Sequence, residues 1–239
     1  MAAPAAPDQR FLIVNADDLG LSAAVNAGIW TAHAEGVVTS ASLMVRQGAA
    51  PAAAEEAAAH PDLAVGLHID LGEWNYEAGE WTQAYRHCDS DDRDAVEAEC
   101  RAQLERFRAL TGRDPTHLDS HQHVHESEPV RGVAEALAAE LGVPLRNRAI
   151  RYEGSFYGQS GKGEPFPEGI TPERLSDLIE ALPPGWTEIG CHPAAGPVPT
   201  SSYDAERQIE LRTLCHLSIQ EALNVTNVNL CNFAQVNRP

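Results

Sequence analysis

Lysine is almost absent: of the 17 basic residues in this 239-residue chain only Lys162 is a lysine, and they face 35 Asp and Glu for a net charge of −18. Affinity for phosphate backbones and anionic lipid comes mainly from Lys and Arg, so this balance argues for no nucleic-acid and no membrane partner. No apolar run approaches the roughly 18 residues of a membrane span, and the N-terminal MAAPAAPDQR has neither the positive nor the apolar region of a signal peptide. A cytoplasmic protein is the expectation. The five cysteines, Cys88, Cys100, Cys191, Cys215 and Cys231, are odd in number and contain no C-x-x-C, which excludes a disulfide framework and a zinc knuckle. Also missing are G-x-S-x-G, G-x-x-x-x-G-K, H-E-x-x-H and, after the first apolar run, G-x-G-x-x-G. Serine hydrolases, P-loop nucleotidases, zincin proteases and dinucleotide enzymes therefore have no support.

What is present is an ordinary globular balance, 43% hydrophobic and 22% charged. At about 100–200 residues per domain, the length predicts a flexible segment over 1–10 and one domain over 11–239. Apolar runs at 11–15 (FLIVN), 40–45, 63–69, 116–120, 145–150, 186–191 and 228–233 read as strands. Helical spacing and caps place helices between them: one opened by Ser22, an Ala-rich one over 49–60, then 94–110, 129–141, 173–182 after Thr171-Pro172, 204–215 and 218–223. The stretches 72–93 and 152–170 read as long loops. Strands too apolar for one-sided burial, alternating with helices, predict an α/β fold with a parallel sheet. Seven or so units in this length favour a (β/α) barrel-like fold, an incomplete seven-stranded TIM-type barrel, over an open doubly wound sheet.

The polar residues are placed more tellingly than they are numerous. Four predicted strands run into Asp or His at their C-terminal ends: Asp17-Asp18, His68, Asp119-Ser120-His121 and, after Cys191, His192. In a parallel β/α fold all these ends open on one face, where such enzymes place their chemistry. Two adjacent carboxylates repel, and strand alternation points them apart, so one can bind a cation while the other faces substrate or water. Capping of the next helix is the alternative for that pair, although Ser22 is better placed for it. In the run from His117 to His125, four His and one Asp alternate strictly, which puts all five on one face of a strand that cannot extend through the whole run. His121 is the expected ligand. His117 and Asp119 are expected to orient neighbours from behind, while His123 and His125 enter the following loop and touch substrate or nothing.

Asp18, His68 and His121 then supply one carboxylate and two imidazoles, an open set that suits one divalent ion: zinc or magnesium first, with cobalt or manganese as alternatives. The same set describes non-haem iron oxygenases; the free carboxylate of Asp17 tilts the reading toward hydrolysis, which needs a base. A phosphoester hydrolase and a catalytically silent sugar- or metal-binding protein remain the rival readings. A cluster of Arg or Lys at the mouth would favour the phosphoester.

At VNADDLGLS (14–22), TSASLMV (39–45), VGLHIDL (65–71), THLDSHQHVH (116–125) and TEIGCHPA (187–194) the sequence resembles the YdjC-like carbohydrate deacetylases, which include chitooligosaccharide deacetylases and hopanoid-associated relatives. The likeness runs from about residue 11 to 233. It implies a barrel-like fold, a divalent metal held by Asp18, His68 and His121, removal of acetyl from a small N-acetylated carbohydrate, and a homodimer. It further implies that Asp17 is the general base and that His192 acts as general acid or binds substrate. The chain departs from the resemblance over 72–93, where Trp74, Tyr76 and Trp81 either stack on a sugar ring or close a lid over the core.

Overall fold

The computed structural model describes residues 8–77, 79–199 and 201–236. Of the expected flexible segment 1–10, residues 1–7 lie outside the described residues. In chain order the elements are β1 (Arg10–Leu19), α1 (Ala23–Ala34), β2 (Ser40–Leu43), α2 (Ala50–Ala57), β3 (Ala64–Ile69), β4 (Gly72–Glu77), β5 (Glu80–Arg86) and α3 (Arg93–Thr111). There follow β6 (Leu118–Ser120), α4 (Val130–Leu141), β7 (Arg151–Glu153), α5 (Pro172–Glu180), β8 (Gly185–Cys191), α6 (Ala205–Leu214), α7 (Leu217–Thr226) and β9 (Val228–Cys231).

The helices start and stop for local reasons. Ser22 accepts a hydrogen bond from the Val25 amide at the start of α1, and Thr171 does the same for Arg174 before Pro172 opens α5. Asp92 caps α3, which ends where Gly112 takes a left-handed conformation. Seven strands form one parallel sheet in the order β6-β3-β2-β1-β8-β7, and β1 also pairs with β9. Strand β1 is the centre: β8 runs along residues 10–16, while β9 takes 10–13 and β2 takes 15–19. Helices pack their apolar faces on the outside, where Val25 and Ile29 of α1, Val96, Leu104 and Phe107 of α3, and Leu175 and Ile179 of α5 are buried in one core. The sheet curls into an incomplete barrel, as expected from the alternation of apolar runs and helices.

Two expectations need correction. Residues 145–150 are not a strand: only Leu145 makes a bridge, to Leu118, and 146–148 turn, with Asn147 in the left-handed region. Arg146 is drawn inward by buried carboxylates, and the strand forms just afterwards as β7. The stretch 72–93 is not an irregular loop either, since β4 and β5 pair as an antiparallel hairpin apart from the main sheet.

The barrel interior is layered. Ile13, Ala64, Ile150 and Phe233 close the N-terminal end as a small apolar plug. His117 lies on this plug, its ring stacked on Phe233 with centroids 3.8 Å apart. Gly66 makes that possible, because a Cβ there would meet the imidazole at about 2.5 Å. Above this level the interior turns polar, with Asn15, Ser42, Arg146 and Glu188 buried and joined by hydrogen bonds directly or through Asp17 and Asp119.

Candidate active site

At the C-terminal ends of the strands a cleft of about 600 Å³ opens, and Asp17, Asp18, His68, His121, His123 and His192 all line it. The two aspartates do not point apart as strict alternation requires. Asp18 sits at φ 65°, and the β1–β2 register shifts between Ala16 and Leu19, so a bulge turns both carboxylates into the cleft. A non-glycine residue held at positive φ costs of order 1 kcal/mol, a strain that persists where the surroundings impose it.

Asp18 is the meeting point of three cationic or imidazole side chains. Its Oδ1 lies 3.1 Å from Nδ1 of His121 and 3.4 Å from Nε2 of His68, and Arg207 donates to its Oδ2 at 2.7 Å. Burial opposes the Asp18 charge, but Arg207 and the two imidazoles override it and hold the carboxyl well below the usual carboxylate range. One donor atom from each of Asp18, His68 and His121 lies within 4.8 Å of the others. Two ligands each 2.0–2.1 Å from a tetrahedral ion sit roughly 3.4 Å apart, so the observed spacing fits such an ion. The nitrogens also fit. Nδ1 of His68 is engaged by Asp119 at 2.8 Å, which directs Nε2 at Asp18, and Nδ1 of His121 faces the same carboxylate oxygen. A second group, Asp17, His68 and Asp119, is also close enough to hold a cation. It is the poorer site, because Arg146 takes both oxygens of Asp17 and Oδ2 of Asp119, whereas Arg207 takes only Oδ2 of Asp18 and leaves Oδ1 to the two imidazoles.

Asp17 is held apart from the first group. Arg146 grips it bidentately with two bonds of 2.7 Å, and Asn15 adds a third at 2.8 Å. Burial raises its carboxyl, Arg146 more than reverses that, and the group stays below its ordinary value. The same guanidinium reaches Oδ2 of Asp119 at 2.9 Å and Oε1 of Glu188 at 2.6 Å, so one fully buried arginine serves three carboxylates. Burial pushes the third of them, Glu188, up to about 7 against the pull of Arg146.

His192 follows the last residue of β8 and faces Asp17, Nε2 to Oδ2 at 3.8 Å. The chain beyond it comes close to α1, where any side chain on Gly28 would run into the Ala194 backbone. Behind the imidazole lies Glu210 of α6, with its Oε1 3.8 Å from Nδ1. Burial alone would lower the His192 pKa, but Glu210 outweighs it and holds the imidazole above its ordinary value.

The other histidines of the 117–125 run scatter, because β6 ends at Ser120 and His121–Glu126 is a 3-10 segment with Gln122 and His123 at positive φ. His123 stays on the cleft beside Tyr152. His125 turns inward, Nδ1 2.6 Å from Oγ of Ser120, and is fully buried away from the cleft lining. His117 is corrected as well: its contacts are Thr116, Gly66 and Phe233, one level below the His68–Asp119 pair rather than against it. Asp119 is where the alternation placed it, in register with His68 across β3 and β6.

Sequence reasoning missed Arg146, Glu188, Arg207 and Glu210. For the last two a signal existed. Helix α6 buries Glu206, Arg207, Glu210, Thr213 and Leu214, a mostly polar stripe at helical spacing that contradicts the usual apolar face. Arg146 carried none, since Arg148 two residues on is equally basic and points to surface carboxylates.

Residues 11–225 match the sequence model of the family described as YdjC-like protein. A carbohydrate deacetylase of Geobacillus stearothermophilus is 37% identical over 95% of this chain and 98% of its own. A chitooligosaccharide deacetylase of Yersinia pestis (strain Pestoides F) is 33% identical over 94% and 98%. Among solved structures, an Enterococcus faecalis V583 protein named for a proposed cleavage of cellobiose phosphate superposes with a TM-score of 0.77 at 28% identity, covering 94% of this chain and 98% of the other.

Proposed function

Because this chain belongs to the YdjC-like family, we propose that it hydrolyses the acetamide of an N-acetylated sugar, releasing acetate and the free amine. One observation carries the reading beyond kinship: beside the group of Asp18, His68 and His121 stands a second carboxylate, Asp17, held by Arg146 and faced by His192 at 3.8 Å. Asp18, His68 and His121 would hold one divalent ion, which when bound supplies Lewis-acid activation of water and of the acetyl carbonyl. Asp17, kept ionised by Arg146, takes the proton of the attacking water. Asn15 and Arg146 fix the plane of its carboxylate, so the accepting oxygen does not rotate away. His192, kept protonated by Glu210, gives its proton to the nitrogen as the C–N bond breaks. Acid and base are thus two neighbouring groups whose surroundings push their pKa values apart. Arg207, the arginine that lines the cleft among the described residues, is paired with Asp18, and Arg146 is buried beneath with its own carboxylates, which supports an uncharged acetamide over a phosphoester.

The test is acetate release from N-acetylated mono- and oligosaccharides by protein that has been chelated and then reloaded with Zn²⁺, Mg²⁺ or Co²⁺. Release should vanish on chelation and return with at least one ion. Folded, metal-loaded protein that releases no acetate from any of these sugars would overturn the reading.

The role of Glu210 has its own check. A raised His192 pKa keeps the acid protonated up to that pKa, and kcat falls as pH rises through it. In Glu210→Gln the largest support is lost and only Asp17 and Asp18 remain, so the alkaline limb of the kcat profile should move to lower pH while the acid limb stays in place. An unmoved alkaline limb would separate Glu210 from the proton donor.

A further inference from the structure

We infer that the β4–β5 hairpin carries a second sugar subsite, in which Trp81 and Trp74 stack on a pyranose ring adjoining the acetylated one; this rests on the reading of the substrate as a sugar. In the antiparallel register Tyr76 lies opposite Trp81 and Trp74 opposite Gln83. Period-two alternation therefore puts Trp74, Tyr76 and Trp81 on one face of the hairpin, with Asn75 and Thr82 on the other. That aromatic face is turned to the cleft, whose lining includes all three. Tyr76 and Trp81 meet edge to face at 5.3 Å.

The aromatics are not closing the hairpin over the protein's own core. None of the three packs into either apolar cluster among the described residues, and Trp74 and Trp81 stay 39% and 58% exposed. A hairpin that holds indoles in water beside a cleft has left their apolar area for something that enters it. The occupant follows from the surroundings. The same cleft holds the carboxylates of Asp17, Asp18 and Glu73 in a protein of net charge −18, which disfavours an anion. A pyranose is neutral, with a C–H face for an indole and hydroxyls for the polar rim. The cleft lining holds further aromatics at the chemistry: Tyr157 and Tyr203 stack at 4.7 Å, and Tyr157 meets His192 edge-on at 5.6 Å. A ring beside Tyr157 would lie at the chemistry, and the hairpin aromatics line the same cleft for the ring that adjoins it.

The platform is also held in register with the metal-binding group. At the hairpin base Asp70, fully buried, accepts from Tyr85, Gln47 and the Gly72 amide. Higher up, the Gln122 side chain accepts from the Trp74 amide at 3.0 Å and donates to the Trp74 carbonyl at 2.8 Å. Gln122 directly follows His121, so the backbone that presents Trp74 is clamped to the residue beside a candidate metal ligand.

The experiment compares acetate release from N-acetylglucosamine and its β-1,4-linked trimer, with calorimetric titration of the trimer into chelated protein. In wild type kcat/KM should favour the trimer. In Trp81→Ala that trimer-to-monomer ratio should fall about tenfold, equivalent to ~1.4 kcal/mol, and the double variant Trp74→Ala/Trp81→Ala should lower it further. Trp81→Phe should keep most of the ratio, because a smaller ring still stacks. A ratio that survives in both alanine variants, in protein that does release acetate, overturns the subsite and leaves the deacetylase reading standing. Trimer binding that weakens in Trp81→Ala, in protein that releases no acetate, supports the subsite while the deacetylase reading falls. Absence of trimer binding to wild type overturns the subsite.

Discussion

Asp17→Asn is expected to lower kcat for acetate release by about 10²–10⁴-fold, the usual worth of a general base, with the metal content of the purified protein unchanged. The amide keeps the shape of the side chain and an oxygen for Arg146, but it cannot take a proton from water. The fold should tolerate the change, because Arg146 still pairs with Asp119 at 2.9 Å and Glu188 at 2.6 Å. Metal analysis is the discriminating measurement. Asp18 lies 3.1 Å and 3.4 Å from the two imidazoles and Asp17 is tied to Arg146, so a loss of metal in Asp17→Asn, rather than of turnover alone, would mean that the two aspartates have exchanged roles.

Arg146→Met should be the most destabilising single substitution in the barrel interior, by about 3–5 kcal/mol, the cost of leaving buried charge uncompensated. Three buried carboxylates, Asp17, Asp119 and Glu188, lose their shared cation at once. The loss should depend on pH in a defined direction. In the wild type Arg146 holds Asp17 and Asp119 below their ordinary values, so they add stability above the unfolded carboxylate range that disappears as pH falls through the folded values. Without Arg146, burial and mutual repulsion raise these groups, and their contribution becomes one that is lost as pH rises. Urea unfolding at pH 5 and pH 8 should therefore show a larger gap between wild type and variant at pH 8. Arg146→Lys keeps the charge but not the planar fork that spans Asp17 and Glu188, and should recover only part of the stability. Equal gaps at the two pH values would show that the cost is one of packing rather than of charge.

Much of the fold could be read along the chain because its elements are locally specified. FLIVN, SASL and AVGLHI are buried on both faces and read as strands from composition alone; Ser22, Thr171-Pro172, Gly112 and Gly142 mark helix ends through their own side chains or backbone freedom. The hairpin at 72–86 escaped notice because its alternation is aromatic against polar on a surface arm, and the pattern of a half-buried strand presumes a core to face. The run 145–150 misled for the opposite reason: apolar residues flank an arginine that ion pairs, not strand pairing, draw inward.

The candidate site divides in the same way. Asp17, Asp18, His68, His121 and His192 on the cleft, and Asp119 behind His68, were legible in the sequence, because parallel strands bring their C-terminal ends to one face and a polar residue at such an end is conspicuous against an apolar run. Only the tertiary structure assigned their partners. Whether His117, His123 or His125 joined His121 depended on where β6 stops and on two residues at positive φ, and the local alternation continued past that point. Arg146, Glu188, Arg207 and Glu210 act across separations of 129 positions for Arg146 to Asp17 and 189 for Arg207 to Asp18. Periodicity and caps report what a residue does to its own few neighbours; a buried ion pair is set by chain closure, and in one dimension nothing separates the arginine that ends inside the barrel from those that end in water.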